Sequence, residues 1–263
     1  MNNVTIRWVA QKNVATQHKD GTLHYSKVMG IPAGYVGATK PEAMATCVAV
    51  GCRMRPVVEG GDPDGPRCYA WQGTPSMAAS SMDKAQAKRN QDPSRRYSLR
   101  KALDSTGRKI GPRRSRLRFV RVGALGDPGD VPVDNLRALR VEVKDEGLDG
   151  VLGYTHGWRD RPAYKDQLLA SCDKLSEVDE AVAQGWRASV VLPWDAPRKG
   201  NVTPGGVPIS VCPAMLTEDR DMPVICNDCG WCDPQQPGPR AVGFLNHDKK
   251  SLGLRMRRKR DDD

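Results

Sequence analysis

Four cysteines near the end of the chain carry its densest chemistry. Cys226, Cys229 and Cys232 stand in the run CNDCGWC, two x2 spacings that share a central cysteine. A single C-x2-C pair is common to zinc and iron–sulfur sites. Two consecutive pairs wrap a loop around a compact body, as in bacterial-type ferredoxin runs. A mononuclear zinc more often takes two separated pairs. Cys212, in SVCPAM, supplies a fourth thiolate from the end of a strand, and Pro213 after it stiffens the chain and brings no competing N–H. The expected occupant of Cys212, Cys226, Cys229 and Cys232 is a 4Fe–4S cluster. Zinc on the same thiolates, and buried thiols without metal, are the alternatives.

A second set lies earlier. Cys47 and Cys52 sit in TCVAVGC and Cys68 in RCYAWQG, three thiolates with no histidine beside them. Three ligands leave one iron of a 4Fe–4S cluster open, which is what a catalytic cluster needs to bind a substrate or S-adenosylmethionine. A functional Cys68 with two packing cysteines, and three plain loop cysteines, are the competing readings. Cys172 stands apart and reads first as a small core residue.

The elements that must position these residues follow from the hydrophobic pattern. RFVRVGALGD reads as a strand running into a Gly-rich turn, and VDNLRALRVEVKDEG as a helix ending at Gly147. GVLGYTH, QLLASC, ASVVLPW and AVGFLNH read as further strands. SEVDEAVAQG reads as a helix capped by Ser176, with Asp179 three residues on, and closed by Gly185. A helix is also expected in SMAASSMDKAQAKRN after Cys68. Strands alternating with helices imply βα units and a parallel sheet. The expected fold is α/β, a partial or irregular (β/α) barrel with long cysteine-bearing loops; an open doubly wound sheet is the alternative. The expected organisation is an N-terminal segment to residue 45, one metal-binding domain over 46–247 with a basic insertion near 92–116, and a basic, disordered tail from 248.

In such folds the carboxyl ends of strands line the ligand site. Asp127 and Asp130 follow the first strand, Thr155 and His156 the second, Cys172 and Asp173 the third. Asp127, Asp130, Thr155 and His156 are therefore the candidates for binding or protonating a substrate. No P-loop, zinc-protease helix or nucleophile elbow is present.

Charge narrows the partners. The chain of 263 residues carries a formal net charge of +10 and eight cysteines. Its basic residues concentrate between Lys84 and Arg121, where Asp92 and Asp104 are the opposing acids, and again near the C-terminus. Arg95, Arg96, Arg113, Arg114 and Arg116 lie in a segment too poor in apolar residues for burial to explain them, and it reads as a linker or exposed arm. A nucleic acid or nucleotide is the expected partner. No apolar run approaches the roughly 18 residues that span a bilayer, and the N-terminal stretch has no apolar h-region. The expected compartment is the cytoplasm, where clustered thiols hold metal rather than disulfides.

Taken in order, TC…C…CYA, RVGALGDPGD, GYTHGW, LLASCDKLSEVDEAVAQGW, VVLP, VCPA…CNDCGWC and AVGFLNH resemble a group of cysteine-rich iron–sulfur proteins of phages and mobile elements, similar in their CYA motif to radical-S-adenosylmethionine proteins. The resemblance runs from Thr46 to His247. It implies a barrel-like α/β fold, iron–sulfur binding and a phage-infected or element-bearing bacterial host, and it brings no settled activity. Radical-S-adenosylmethionine enzymes place C-x3-C-x2-C in one tight loop. Here the spacings are x4 between Cys47 and Cys52 and x15 before Cys68.

Overall fold

In the computed structural model of the chain, the residues described are 6–9, 15–17, 23–25, 31–36, 40–51, 98–106, 117–216 and 224–246. In chain order the elements are β1 (Ile6–Val9), β2 (Ala15–Gln17), β3 (Leu23–Tyr25), β4 (Ala33–Val36), α1 (Lys40–Ala49), α2 (Leu99–Thr106), β5 (Phe119–Leu125), α3 (Val133–Asp145), β6 (Gly150–Leu152), β7 (Tyr154–Thr155) and β8 (Leu169–Cys172). Then come α4 (Leu175–Ala183), β9 (Ala188–Leu192), β10 (Asn201–Val202), β11 (Pro208–Val211), α5 (Pro213–Leu216), α6 (Cys226–Cys229) and β12 (Ala241–Leu245). β2 and β3 form a separate antiparallel pair.

Two sheets meet at one residue. The first runs β1-β4-β5-β6 and the second β10-β11-β12-β9-β8-β7. β6 and β7 are one strand of sequence, GVLGYT, interrupted at Gly153. Its first half pairs with β5 and its second with β8, and the Gly153 carbonyl still accepts from Leu169 N–H at 3.0 Å. All neighbours are parallel except the edge pairs β1–β4 and β10–β11. The class is therefore α/β with parallel sheets, as the alternating pattern requires.

Strand faces explain the packing, since successive side chains alternate. Val120, Val122, Val151, Ala170, Cys172, Ala188 and Val190 form a buried apolar face. Leu136, Leu139 and Val143 of α3 and Val178 and Ala181 of α4 are buried in the same core; α3 packs on β6, and α4 on β8 and β9. The opposite face is richer in polar groups: Arg121, Tyr154, Ser171, Ser189 and Ser210 fall on it by alternation. That face is concave. The rings of Tyr154 on β7 and Phe244 on β12 meet edge to face at 5.8 Å, although β8 and β9 lie between their strands. On a flat sheet three strand spacings would part them by about 14 Å.

The strand order also reverses once. From β5 to β9 the chain steps in one direction along the sheet; from β11 to β12 it steps back, because β12 lies between β9 and β11. Parallel crossovers are right-handed, so a reversed step puts its connection on the opposite face. The described parts of the β11–β12 connection, residues 212–216 and 224–240, thus lie over the concave face, and they carry Cys212, Cys226, Cys229 and Cys232.

Three expectations are corrected. Residues 99–106, within the stretch read as a linker or exposed arm, form α2, whose Leu99, Ala102 and Leu103 are buried. Arg100 on its outer side forks onto Glu146 with two bonds of 2.8 Å. Ser176 is not the cap of α4: the helix starts at Leu175, one residue earlier. Asp179 is drawn away to accept from the Thr203 hydroxyl and from Gly205 N–H. GVLGYTH is divided at Gly153 into two strands, the first pairing with β5 and the second with β8, and the Leu168 and Val122 side chains fill the space a Cβ would take at Gly153. The helix expected over 76–90 and the tail from 248 lie outside the described residues.

Candidate metal centre and strand-end site

The cysteine loop is anchored before its thiols are considered. Asn227 is buried, and its side-chain oxygen accepts from Arg118 N–H at 2.7 Å. Asp228 accepts from Ile225 N–H at 3.2 Å and closes the single turn of α6. Gly230 ends that turn at φ +69° with its Cα against Phe119, where a Cβ would stand 2.5 Å from the ring. Asp233 is fully buried: it pairs with Arg140 at 2.9 Å and accepts from Val151 N–H at 3.1 Å. Arg187 ties the far side, donating to the carbonyls of Trp231, Asp233, Gln236 and Pro239. Two half-turns of a short loop are thereby fixed at the amino ends of β5 and β6.

Cys212, Cys226, Cys229 and Cys232 line one small cleft, walled by Leu152, Pro213, Ala214, Ile225, Gly230, Trp231 and Val242. Burial pushes all four thiols up, Cys226 to about 11. Their surroundings work the other way and favour sulfur anions. The backbone N–H groups of Ala214 and Met215 near Cys212, that of Trp231 near Cys229 and the Tyr154 hydroxyl near Cys232 lower the pKa of those thiols against the larger effect of burial. The Arg121 guanidinium draws Cys212, Cys226 and Cys232 down, and Arg187 does so for Cys229. Among the described residues, no group of three or more His, Cys, Asp and Glu stands ready to hold a single metal ion.

Cys47 is buried in α1. Cys52 and Cys68 lie outside the described residues, as do Arg95, Arg96, Arg113, Arg114 and Arg116. Cys172 packs under α4, where burial pushes its thiol up to about 12.

A second cluster forms where β5, β7 and β8 end. His156 follows β7, its Nδ1 3.6 Å from Asp127 and its Nε2 3.5 Å from Asp173. Ser171 Oγ lies 3.2 Å from the same Nε2. Asp127 is buried and holds the turn together, accepting from Gly129 N–H at 2.7 Å and His156 N–H at 2.8 Å. Its own N–H donates to Thr46 of α1 at 2.8 Å. Thr155 is fully buried and its hydroxyl accepts from Gly157 N–H at 3.0 Å. Asp130 faces Arg161 at 3.5 Å, with burial as the larger influence raising its pKa. Two of the four strand-end candidates, Asp127 and His156, thus face each other, while Thr155 and Asp130 serve the adjoining turn.

Sequence reasoning passed over Ser171, Arg121, Tyr154 and Arg187 and left Asp173 without a role. For Arg121, Ser171 and Asp173 the signal is alternation: Arg121 stands between Val120 and Val122, and Ser171 and Asp173 flank Cys172; Tyr154 and Arg187 carried no such signal.

No family model matches the chain, and neither a curated protein nor a solved structure is detectably similar to it. No helix among the described residues is long and apolar enough to cross a membrane.

Proposed function

We propose that the chain is an iron–sulfur protein whose cluster is held by Cys212, Cys226, Cys229 and Cys232, on a sheet curled as a partial (β/α) barrel. One observation carries the reading. Four cysteines from two segments line a single cleft, and the positive charges of Arg121 and Arg187 lie near enough to oppose, in part, the effect of burial on their thiols. Neutral thiols have little use for that array. A tetrathiolate cluster is a buried anion and needs it. A lone zinc ion would draw four sulfurs to bonds near 2.3 Å about one point. Cys212, Cys226, Cys229 and Cys232 would serve as the four thiolate ligands of a 4Fe–4S cluster. When bound, the cluster supplies one-electron chemistry.

The chain's own residues then provide a substrate site on the concave face. Its wall at the strand ends is His156, Ser171 and Asp173, with Asp127 behind the imidazole. His156 exchanges a proton through Nε2, the nitrogen that faces Ser171 and Asp173; Asp127 holds the residue through its backbone N–H and fixes the ring's position. The charge of +10 favours a nucleotide or nucleic acid as substrate. A radical-S-adenosylmethionine-like reaction additionally needs the centre of Cys47, Cys52 and Cys68.

The test is anaerobic purification followed by iron and sulfide analysis and electron paramagnetic resonance, with and without S-adenosylmethionine. Brown protein with labile sulfide is expected, and a Cys226→Ser/Cys229→Ser double variant should lose at least one cluster equivalent. Colourless protein with one zinc and no sulfide overturns the iron–sulfur reading. A spectrum that changes on adding S-adenosylmethionine supports the second centre.

A further inference from the structure

We propose that the strand-end cluster holds a nucleophilic serine: Ser171 Oγ attacks the carbonyl carbon of an uncharged carboxylic ester, with His156 as its base and Asp127 positioning the imidazole. This activity is separate from the cysteine-held centre and shares with the reading above only the proton exchange at His156. Three residues from three strand ends carry it. Ser171 Oγ, on β8, lies 3.2 Å from His156 Nε2. The other ring nitrogen, Nδ1, faces Asp127 Oδ2 at 3.6 Å. A hydroxyl on one nitrogen and a carboxylate behind the other is the order that activates a serine on unrelated folds.

The main chain presets that order. The same Oδ2 accepts from His156 N–H at 2.8 Å, and Asp127 Oδ1 accepts from Gly129 N–H at 2.7 Å. The carboxylate therefore cannot turn from the ring without losing both bonds. The 3.6 Å gap exceeds a hydrogen bond, and such contacts tighten when a substrate closes the site. Asp127 is buried, whereas His156 and Ser171 are half-buried. The two groups that must meet a substrate are thus reachable, and the one that only orients is covered.

Local charge selects the substrate. Asp173 Oδ1 lies 3.5 Å from Nε2, and the Asp173 N–H donates to Glu177 at 2.7 Å. Arg159 is paired with Glu177 and Glu180, and Arg161 with Asp130. Carboxylates so close to the serine repel a phosphate and support the imidazolium that forms. In the first step Oγ bonds to the carbonyl carbon and its proton passes to Nε2. The bond to the alcohol oxygen breaks, and that oxygen takes the proton. Water then attacks the acyl-serine and returns a proton through Nε2 to Oγ, which leaves one carboxylic acid and one alcohol.

The full-length chain is isolated anaerobically as wild type, Ser171→Ala, His156→Gln and Asp173→Asn, with iron and sulfide counted in each. Each is treated with a fluorophosphonate, and the labelled peptide is identified by mass spectrometry. Hydrolysis of p-nitrophenyl butyrate and of bis(p-nitrophenyl) phosphate is followed alongside. The wild type should label at Ser171 and prefer the butyrate. Ser171→Ala should lose the label and the hydrolysis, and His156→Gln should slow both by about 10²–10⁴-fold. Asp173→Asn should shift the preference toward the phosphate diester, and an unshifted preference overturns the assignment to uncharged esters. A wild type unlabelled at Ser171, or Ser171→Ala hydrolysing butyrate at the wild-type rate, overturns the nucleophile. Labelling of His156→Gln at the wild-type rate overturns the base. If a substituted chain does not fold, as circular dichroism reports, the position of the label in the wild type decides. Ser171 labelled in a chain without iron or sulfide supports the serine and overturns the iron–sulfur reading; an iron-loaded chain with Ser171 unlabelled does the reverse.

Discussion

Gly230 shows how narrowly the cysteine loop is specified. It separates Cys229 from Trp231 at φ +69°, and it has no room for a side chain against Phe119. A left-handed non-glycine residue costs about 1–2 kcal/mol, and forcing a methyl group into a packed ring adds about 1–3 kcal/mol. Gly230→Ala is expected to lower stability by the sum and to reduce the iron retained. Urea unfolding and metal analysis of the same preparation check both, and a variant equal to wild type in both would show that the turn tolerates other geometry. At this scale the cysteines were legible and their helpers were not. A C-x2-C-x2-C spacing announces itself because few other structures need it. Arg121, Tyr154 and Ser171 look ordinary in sequence, and they gain meaning when the sheet sets Arg121 over the Tyr154 ring and Ser171 beside His156.

Among the elements, α2 is the instructive case. Arg100, Lys101 and the basic residues that follow suggested a solvated arm, because charge dominates the local composition. Leu99, Ala102 and Leu103 recur at helical spacing and are buried in the core, and α2 packs on β1. Leu103→Ala should therefore cost about 2–5 kcal/mol, whereas Lys101→Ser, on the exposed side, should change stability by no more than about 0.5 kcal/mol. Thermal or urea unfolding of the two variants decides it; equal, small effects would return the segment to a peripheral arm. The central βα units were readable since Val, Leu and Ala runs bounded by glycine leave little choice. β1 and β4 were missed because Arg7, Gly34 and Tyr35 break the apolar run, and β11 because it opens on Pro208. Periodicity reports which face a residue occupies, never which strand lies beside it, so the reversal at β12 was out of reach.

For the molecule as a whole, the excess of positive charge sets an expectation that no single contact does. If nucleic acid is the substrate class, affinity for single-stranded DNA or RNA should fall steeply between low and moderate salt as counterions are recaptured. Changing Arg95, Arg96, Arg113, Arg114 and Arg116 to Ser should then weaken binding and flatten the salt dependence. A titration at two salt concentrations is the measurement, and affinity indifferent to salt would leave a neutral or small-molecule substrate. The strand order has a consequence of another kind, for synthesis on the ribosome. β12 pairs with β9 on one side and β11 on the other, yet it is the last strand of the sheet to leave the exit tunnel. Until residues 241–245 emerge, the nascent sheet carries a gap at its middle rather than at its rim, and the main-chain groups of β9 and β11 that face the gap wait for partners. The connection that precedes β12 carries Cys212, Cys226, Cys229 and Cys232, so the chain delivers these four cysteines and the closing strand of the sheet one after the other. If those cysteines hold a cluster, its maturation and the completion of the sheet fall at one moment in the life of the polypeptide.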